Sequence, residues 1–171
     1  MAFNLSRNTV VYISTVTSGF GPTNTFEVPV LDGYSFSQDS ASETVGLNEA
    51  GETPVRGQKI FNTALNHAEV SFSTYIRPYL DTGNHTCVER ILWEAITGVP
   101  GATPLGTNTV ADATSFRADF ENSDVHELGK LYIYFKLDNT VYKVAEVQIS
   151  TAEVDFSIDG ISQITWSGKG T

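Results

Sequence analysis

The sequence contains one cysteine, Cys87, so no second cysteine is present with which it could form an internal disulfide. Basic residues are also scarce, because 10 lysines and arginines stand against 20 aspartates and glutamates, for a formal net charge of -10. A single unpaired cysteine fits synthesis in a reducing compartment. Proteins that grip DNA or RNA usually present a basic patch, so the charge balance argues against direct nucleic-acid binding.

Long apolar runs are missing as well. No stretch approaches the roughly 20 residues that a membrane-spanning helix needs. The opening MAFNLSRNTV has no continuous apolar segment, so we expect no signal peptide and no membrane association. Without a secretory signal, the patterns Asn4-Leu5-Ser6 and Asn84-His85-Thr86 are not expected to carry glycans.

The residue patterns of common active sites are not found. His67, His85 and His126 lie in unrelated segments, and His85-x-Cys87 is followed by no second pair with zinc-site spacing. The Gly-x-Ser-x-Gly elbow of serine hydrolases is absent. The final SGKGT, residues 167–171, lacks the upstream glycine and the following helix of a phosphate-binding loop. We therefore expect no catalytic residues, no metal and no cofactor.

The composition and the order of the residues indicate a folded protein that is rich in β-strands. Hydrophobic residues make up 40% and aromatic residues 11% of 171 positions, enough for one domain over 1–171. Alternating and β-branched runs predict strands, with tight turns at Asp32-Gly33 and at Asp138-Asn139. Pro29 predicts an edge position for its strand because it lacks an N–H. The predicted strands cover 9–14, 26–31, 34–37, 66–79, 131–135, 141–149 and the C-terminal stretch.

One amphipathic helix is predicted at about 86–97. An apolar stripe recurs at helical spacing on Val88, Ile91, Leu92, Ala95 and Ile96. The pair Thr86 and Glu89 has the spacing of a capping box, and Gly98 and Pro100 are expected to end the helix. A further short helical turn is predicted between Lys59 and Leu65.

Two segments lack regular periodicity and are predicted to be long loops, at about 38–57 and 99–128. Loops of this length in a compact domain are usually functional or disordered. The expected fold is therefore mostly β, an antiparallel sandwich or barrel-like domain with one helix and two long excursions.

The closing stretch VDFSIDGISQITWSGKGT, residues 154–171, predicts a strand. We expect Val154, Phe156 and Ile158 on one face and Asp155, Ser157 and Asp159 on the other. Trp166 is expected in the core, with its indole N–H bonded to a neighbouring strand. The first and last strands are expected to lie at sheet edges, where a second copy of the chain could pair.

The chain resembles the bacteriophage tail tube proteins, also called major tail proteins. FSIDGISQITWSG at 156–168 carries the resemblance. VRGQKIF at 55–61, VSFSTYIRP at 70–78 and LSRNTVVY at 5–12 support it. The order of elements also fits over nearly the whole length, except for 99–128, which we cannot place and which could decorate the outside or contact a sheath.

The resemblance implies a structural protein that forms hexameric rings stacked into a hollow tube, with a β-barrel around the lumen and the helix outside. It implies a place in the virion tail after synthesis in the host bacterial cytoplasm. The implied partners are further copies of the chain and other tail proteins, such as tape measure, terminator, baseplate or sheath. Viral DNA would pass through the lumen without specific binding.

The resemblance also implies roles for two sets of residues. The segment 38–57 would reach the adjacent ring, through Glu43, Thr44, Val45, Leu47, Glu49, Glu52 and Arg56. The residues considered for the lumen wall are Ser71, Ser73, Asp155, Ser157 and Asp159. Six copies would carry about -60 charges (six times -10), and an acidic wall repels phosphate over a screening length of roughly 8 Å.

Two alternatives remain open at this stage. A tail terminator or a baseplate hub could share the same fold, because fold does not determine function. A carbohydrate-binding β-sandwich would use Tyr132, Tyr134 and Tyr142 around the predicted hairpin, although aromatic pairs across strands also simply stabilise sheets.

Overall fold

The described residues form mostly β-strands, together with one short helix. The computed structural model describes residues 9–17, 24–53, 56–98, 109–118, 120, 128–156 and 160–171. Its strands are β1 Thr9–Ser14, β2 Thr25–Val28, β3 Ser35–Ser37, β4 Ser40–Asn48, β5 Arg56–Leu65, β6 Ala68–Tyr75, β7 Pro78–Asp81, β8 Asn84–Cys87, β9 Thr109–Ala111, β10 Phe116–Ala118, β11 Lys130–Leu137, β12 Thr140–Asp155 and β13 Gln163–Gly170. The helix is α1, Arg90–Ile96. The prediction of a mostly β, antiparallel fold is confirmed.

Seven of the strands form one antiparallel sheet in the order β2-β1-β11-β12-β13-β6-β3. The predicted hairpin around Asp138-Asn139 is present as β11 and β12. The predicted strand at 66–79 is divided, because β6 ends at Tyr75 and β7 begins at Pro78. Pro29 follows directly after the edge strand β2, as its missing N–H predicts.

The predicted hairpin around Asp32-Gly33 is wrong. Gly33 has the positive φ of 97° that a tight turn needs, but the strands on either side of it do not pair with each other. Strand β2 pairs with β1, and β3 pairs with β6 at the opposite edge. The connection 29–34 spans at most about 25 Å, so the sheet must curl until its two edges approach. The Phe36 ring stacks on Phe135 across this curl, with centroids 4.7 Å apart.

The core lies on the concave side of the curled sheet. Burial alternates along β6 and β13, so that Phe72, Ile164 and Trp166 point inward at 2% exposure or less. The Trp166 Nε1–H donates a hydrogen bond to Thr74 Oγ1 on β6 at 3.0 Å. The prediction of a core tryptophan bonded to a neighbouring strand is therefore confirmed.

The two terminal strands lie inside the sheet, so the expectation that they form its edges is wrong. Strand β1 is flanked by β2 and β11, and β13 by β12 and β6. Two glycines allow β13 to fit there. A Cβ on Gly168 would lie 2.5 Å from the backbone oxygen of Gln148, and one on Gly170 would lie 2.6 Å from that of Ala145. The glycines of the SGKGT segment thus serve close backbone packing rather than a phosphate.

Helix α1 is shorter than predicted, and its capping box is wrong. Thr86 belongs to strand β8, and Glu89 occupies the N-cap position without any side-chain cap bond. The prediction that the apolar stripe faces the core is confirmed for Leu92 and Ala95, which are fully buried. Gly98 follows the helix with φ 81°, a conformation that suits glycine at a helix end.

A small platform packs beside the helix. Strand β7 pairs with β8, and β9 pairs with β10. The two pairs are joined by a bond from the His85 backbone N–H to the Asp112 oxygen, at 2.7 Å. Part of the predicted loop 99–128 is therefore a hairpin, at 109–118. The segments 99–108, 119 and 121–127 lie outside the described residues.

The predicted loop at 38–57 is also wrong in its structure. It belongs to a second hairpin, β4 with β5, which we call the arm and define as residues 40–65. The helical turn predicted at Lys59–Leu65 is instead part of β5. The sequence prediction failed because the strands of this hairpin are exposed except at Leu47, so no buried face imposes alternation on their residues.

Candidate functional site

The arm projects from one end of the large sheet. Every residue in its two strands is exposed except Leu47, which is half-buried. Its base is closed by a backbone bond from the Asn66 N–H to the Asp39 oxygen at 2.9 Å, and by Gln38 Nε2 donating to the Asn66 oxygen at 3.0 Å. A two-stranded ribbon is marginally stable by itself, so a ribbon of this length is suited to binding a partner.

The pairing register divides the arm into two faces. Glu43 lies opposite Phe61, and Val45 lies opposite Lys59. Alternation places these four side chains and Leu47 on one side, which we call the mixed face. Its apolar surface is exposed, because Val45 is 42% and Phe61 is 51% exposed. It also carries one acid, Glu43, and one base, Lys59. Such a surface is typical of a specific protein contact.

The predicted ring-contact residues all belong to the arm or its tip, although they do not share one face. Glu43, Val45 and Leu47 contribute to the mixed face, while Thr44 lies on the opposite face, across from Ile60. Glu49 and Glu52 follow β4 at the exposed tip, and Arg56 opens β5 opposite Asn48. The sequence did not predict a role for Ile60 and Phe61. A strand assignment for β5 would have been the signal, because it places both side chains on the exposed hairpin.

A second candidate surface is the convex side of strands β12, β13, β6 and β3. Ser71 pairs with Ser167, and Ser73 pairs with Thr165, whose hydroxyl lies 2.9 Å from that of Ser73. Ser35 continues the row beside Ser71. We call these five residues the hydroxyl face. All point away from Trp166, because they alternate with the buried positions of their strands.

Of the predicted lumen residues, Ser71 and Ser73 are central to the hydroxyl face and Asp155 lies at its border. Asp155 pairs with Gln163, which in turn pairs with Tyr75, so it occupies the same side of the sheet. Ser157 and Asp159 lie outside the described residues. The sequence reading missed Thr165 and Ser167, although their alternation with Ile164 and Trp166 was a usable signal.

The charges around the hydroxyl face are sparse and mostly acidic. Lys169 at its arm-side border is paired with Glu69 on the neighbouring strand, with nitrogen and oxygen 3.2 Å apart. Glu153 and Asp155 are exposed on the same side. The middle of the surface is therefore neutral and rich in hydroxyl groups, and its one described lysine is neutralised by a partner.

A third feature is a groove of about 590 Å³ at the end of the sheet remote from the arm. We call it the end groove. Its apolar lining comes from both the sheet and the platform, and includes Pro78, Trp93, Phe116, Val154, Phe156 and Ile164. Thr114 and Ser115 lie at its platform side, where both donate hydrogen bonds to the Asp112 carboxylate. The Thr114 hydroxyl and backbone N–H contribute most to lowering the pKa of Asp112 to about 2.

Polar groups are buried in the wall of the end groove. Thr86 is 4% exposed, and its Oγ1 has no hydrogen-bond partner among the described residues. Glu89 is 1% exposed, and burial raises the pKa of its carboxyl, although Arg77 opposes the shift. Burial, and then the charge of Glu89, raises the pKa of Cys87 to about 12. The thiol is thus neutral and unreactive at pH 7.

The aromatic residues of the carbohydrate hypothesis do not form one platform. Lys143 Nζ lies over the rings of both Tyr132 and Tyr134, at 5.1 and 5.7 Å from their centroids. Tyr142 pairs with Phe135 and packs on Phe36, on the opposite side of the sheet. Tyr132 is also only 7% exposed. A sugar could therefore not stack on the three rings together.

In the part of the chain that the structure describes, no group of three or more histidine, cysteine or acidic residues is arranged to hold a metal ion. None of its helices combines the length and apolar character needed to cross a membrane.

Comparison with known proteins gives one informative relative. The chain is 42% identical over 173 aligned residues, 99% of its length, to a protein named tail tube protein pb6 of Escherichia phage T5. The resemblance to a bacteriophage tail tube protein is confirmed. The chain spans 37% of the length of that relative. No protein-family model matches the chain.

Proposed function

We propose that the protein is a structural subunit of a phage tail tube and assembles with further copies into hexameric rings that stack into a hollow conduit. Identity at 42% over 99% of the chain to a named tail tube protein carries the proposal. On this assignment the protein resides in the virion tail after synthesis in the host bacterial cytoplasm. We expect no enzymatic activity and no cofactor.

The arm supports this role as the contact between successive rings. It leaves the domain at one end of the sheet, is almost fully exposed and carries apolar side chains on both faces. Exposed apolar surface of this kind is costly for a monomer and is normally covered by a partner. We assign the contact to Glu43, Thr44, Val45, Leu47, Glu49, Glu52 and Arg56, and add Ile60 and Phe61.

The hydroxyl face is our candidate for the lumen wall. A conduit for DNA needs a surface that holds no phosphate, because each exposed base would bind one and slow the passage. Ser71, Ser73 and their neighbours are neutral, Asp155 adds negative charge, and Lys169 is paired with Glu69. Viral DNA would then slide past without specific binding. Other tail proteins, such as tape measure, terminator, baseplate or sheath, would contact the ends and outside of the tube.

Assembly of the purified protein tests the proposal. We expect rings and tubes by negative-stain microscopy, and a concentration-dependent increase in mass by light scattering after size exclusion. Rings that never stack would favour a terminator-like role. A protein that remains monomeric at every concentration would contradict self-assembly.

A shortened-arm variant tests the ring-to-ring contact. Residues 41–64 would be replaced by Asn-Gly, which favours a two-residue turn between Ser40 and Leu65, a pair in the native register. Because the arm contributes nothing to the core, we expect native circular dichroism and an unchanged melting temperature, with rings but no tubes. Normal tube growth by this variant would contradict the assignment of the arm.

A further inference from the structure

The arm and the end groove lie at opposite ends of the same strands. Strand β6 begins at Ala68, two residues after the arm base at Asn66, and runs to Tyr75. The end groove begins just beyond, at Ile76 and Pro78. Strand β13 runs antiparallel to β6, so its first buried residue, Ile164, also lies at the groove end. One copy of the chain therefore carries a projection at one end and a depression at the other.

The end groove exposes apolar side chains of the kind that protein–protein contacts bury. Phe156 in its wall is 74% exposed, and Trp93 and Val154 are half-buried. Beneath them, the Thr86 hydroxyl is buried without a partner in the described structure. An unpaired buried hydroxyl carries a desolvation cost that a hydrogen bond would remove.

The match between the two surfaces is apolar. Val45 and Phe61 are 42% and 51% exposed on the mixed face, and Trp93 and Phe156 line the end groove. The mixed face carries Glu43 opposite Phe61 and Lys59 opposite Val45, so its two charges balance. Apolar surface on the arm therefore matches apolar surface in the groove.

We propose that the mixed face of the arm of one copy docks in the end groove of a second copy, with Phe61 and Val45 against Phe156 and Trp93. This inference rests on the proposed tube function and identifies the receiving site of its ring-to-ring contact. Because the two surfaces are different and lie at opposite ends, the contact is heterologous. Repetition of a heterologous contact that does not close produces a stack rather than a closed dimer.

Photo-crosslinking maps the receiving site directly. A benzoylphenylalanine replaces Phe61 on the mixed face, and in a matched control it replaces Asn62 on the opposite face of the arm. After irradiation of the assembled protein, denaturing electrophoresis isolates covalent dimers and mass spectrometry locates the bond. We expect position 61 to crosslink to the peptides that contain Trp93 or Phe156, and position 62 not to do so. Crosslinks from position 61 to other peptides would overturn the proposal.

Substitutions in the groove give an independent readout. Phe156→Ser should raise the protein concentration needed for tube growth on the order of tenfold, the effect of losing a central interface side chain, while leaving the monomer folded. Phe61→Ser on the mixed face should weaken stacking by a similar factor, and the double variant with Phe156→Ser should lose less than the sum of the two single losses. Strictly additive losses would contradict contact between these two residues.

The outcomes separate this inference from the proposed function. If the wild-type protein forms tubes but neither the crosslinks nor the groove substitutions implicate the end groove, the docking site is wrong and the tube function stands. If the shortened-arm variant also forms tubes, the assignment of the arm to the ring-to-ring contact is wrong as well. If the wild-type protein never assembles, both the function and the inference are overturned.

Discussion

Trp166 and Thr74 join two central strands of the sheet through a buried hydrogen bond, with the indole Nε1 3.0 Å from Oγ1. Both side chains are at most 1% exposed, so no water replaces the bond if it is lost. The contact links the C-terminal strand to β6, the strand that follows the arm. It therefore ties β13 to β6 near the end of β6 that adjoins the end groove.

The first prediction concerns this bond. Thr74→Val keeps the volume but leaves the indole N–H unpaired, so the free energy of unfolding should fall by about 1–3 kcal/mol. Thr151→Val, at an exposed position on β12, should change it by less than about 0.5 kcal/mol. Urea denaturation followed by tryptophan fluorescence measures both. Equal stability of the two variants would show that the bond contributes nothing.

The second prediction concerns the close approach of β13 to β12. Gly168→Ala would place a methyl group 2.5 Å from the Gln148 oxygen, in contact with backbone that cannot easily move. We expect a loss of about 1–3 kcal/mol in unfolding free energy. Gly46→Ala in the arm is the control, because no atom lies within 4 Å of its Cβ position. A Gly168→Ala protein with an unchanged melting temperature would refute the steric argument.

The third prediction concerns the helix. Leu92 is fully buried, and Leu92→Asp would bury an unpaired charge at a cost of several kcal/mol. We expect insoluble or unfolded protein. Arg90→Ala on the same helix breaks an exposed ion pair with Glu94 and should cost no more than about 1 kcal/mol. Folded Leu92→Asp protein with a native melting temperature would contradict the packing of α1.

The fourth prediction is a pH dependence that arises from Glu89. Burial raises the pKa of its carboxyl above the ordinary 4.5, so the folded state binds more protons than the unfolded state. Its favourable contribution is complete below pH 4.5 and is lost as the pH rises through the folded pKa. Arg77 and Cys87 face the carboxyl and His85 lines the same groove, so all three stay unchanged in the test.

Glu89→Gln removes this titration. The melting temperature of the variant, relative to that of the wild type, should rise between pH 4 and pH 8, because only the wild type loses stability by ionising the buried acid. Scanning calorimetry at several pH values measures the difference. A difference that stays constant over this range would show that Glu89 does not titrate in the folded protein.

The fifth prediction tests the lumen assignment. Ser71→Lys and Ser73→Lys would add unpaired bases to the hydroxyl face, so DNA ejection from virions that carry them should slow, most strongly at low salt where screening is weakest. Asn139→Lys in the exposed turn between β11 and β12 adds the same charge elsewhere and should leave the ejection rate unchanged. Equal ejection rates for all three variants at low salt would place the lumen on a different surface.

Much of the local structure could be predicted from the residues alone. The turn at Asp138-Asn139, the stripe on α1 and the buried Trp166 follow from short-range rules about turns, periodicity and size. The resemblance to tail tube proteins also rested on short segments such as 156–168. The polar strand positions of Ser71 and Ser73 could be predicted from their alternation with Val70 and Phe72.

Pairing between distant segments was decided only by the tertiary structure. The Asp32-Gly33 turn is present, but β2 and β3 separate to opposite edges because Phe36 packs on Phe135 from the far side of the curl. Thr86 and Glu89 have the spacing of a helix cap. Thr86 nevertheless belongs to β8, where pairing with β7 provides hydrogen bonds for the strand backbone. Local patterns determine which residues turn, alternate or stay inside, whereas strand order and the faces left uncovered depend on long-range contacts that no short window of sequence contains.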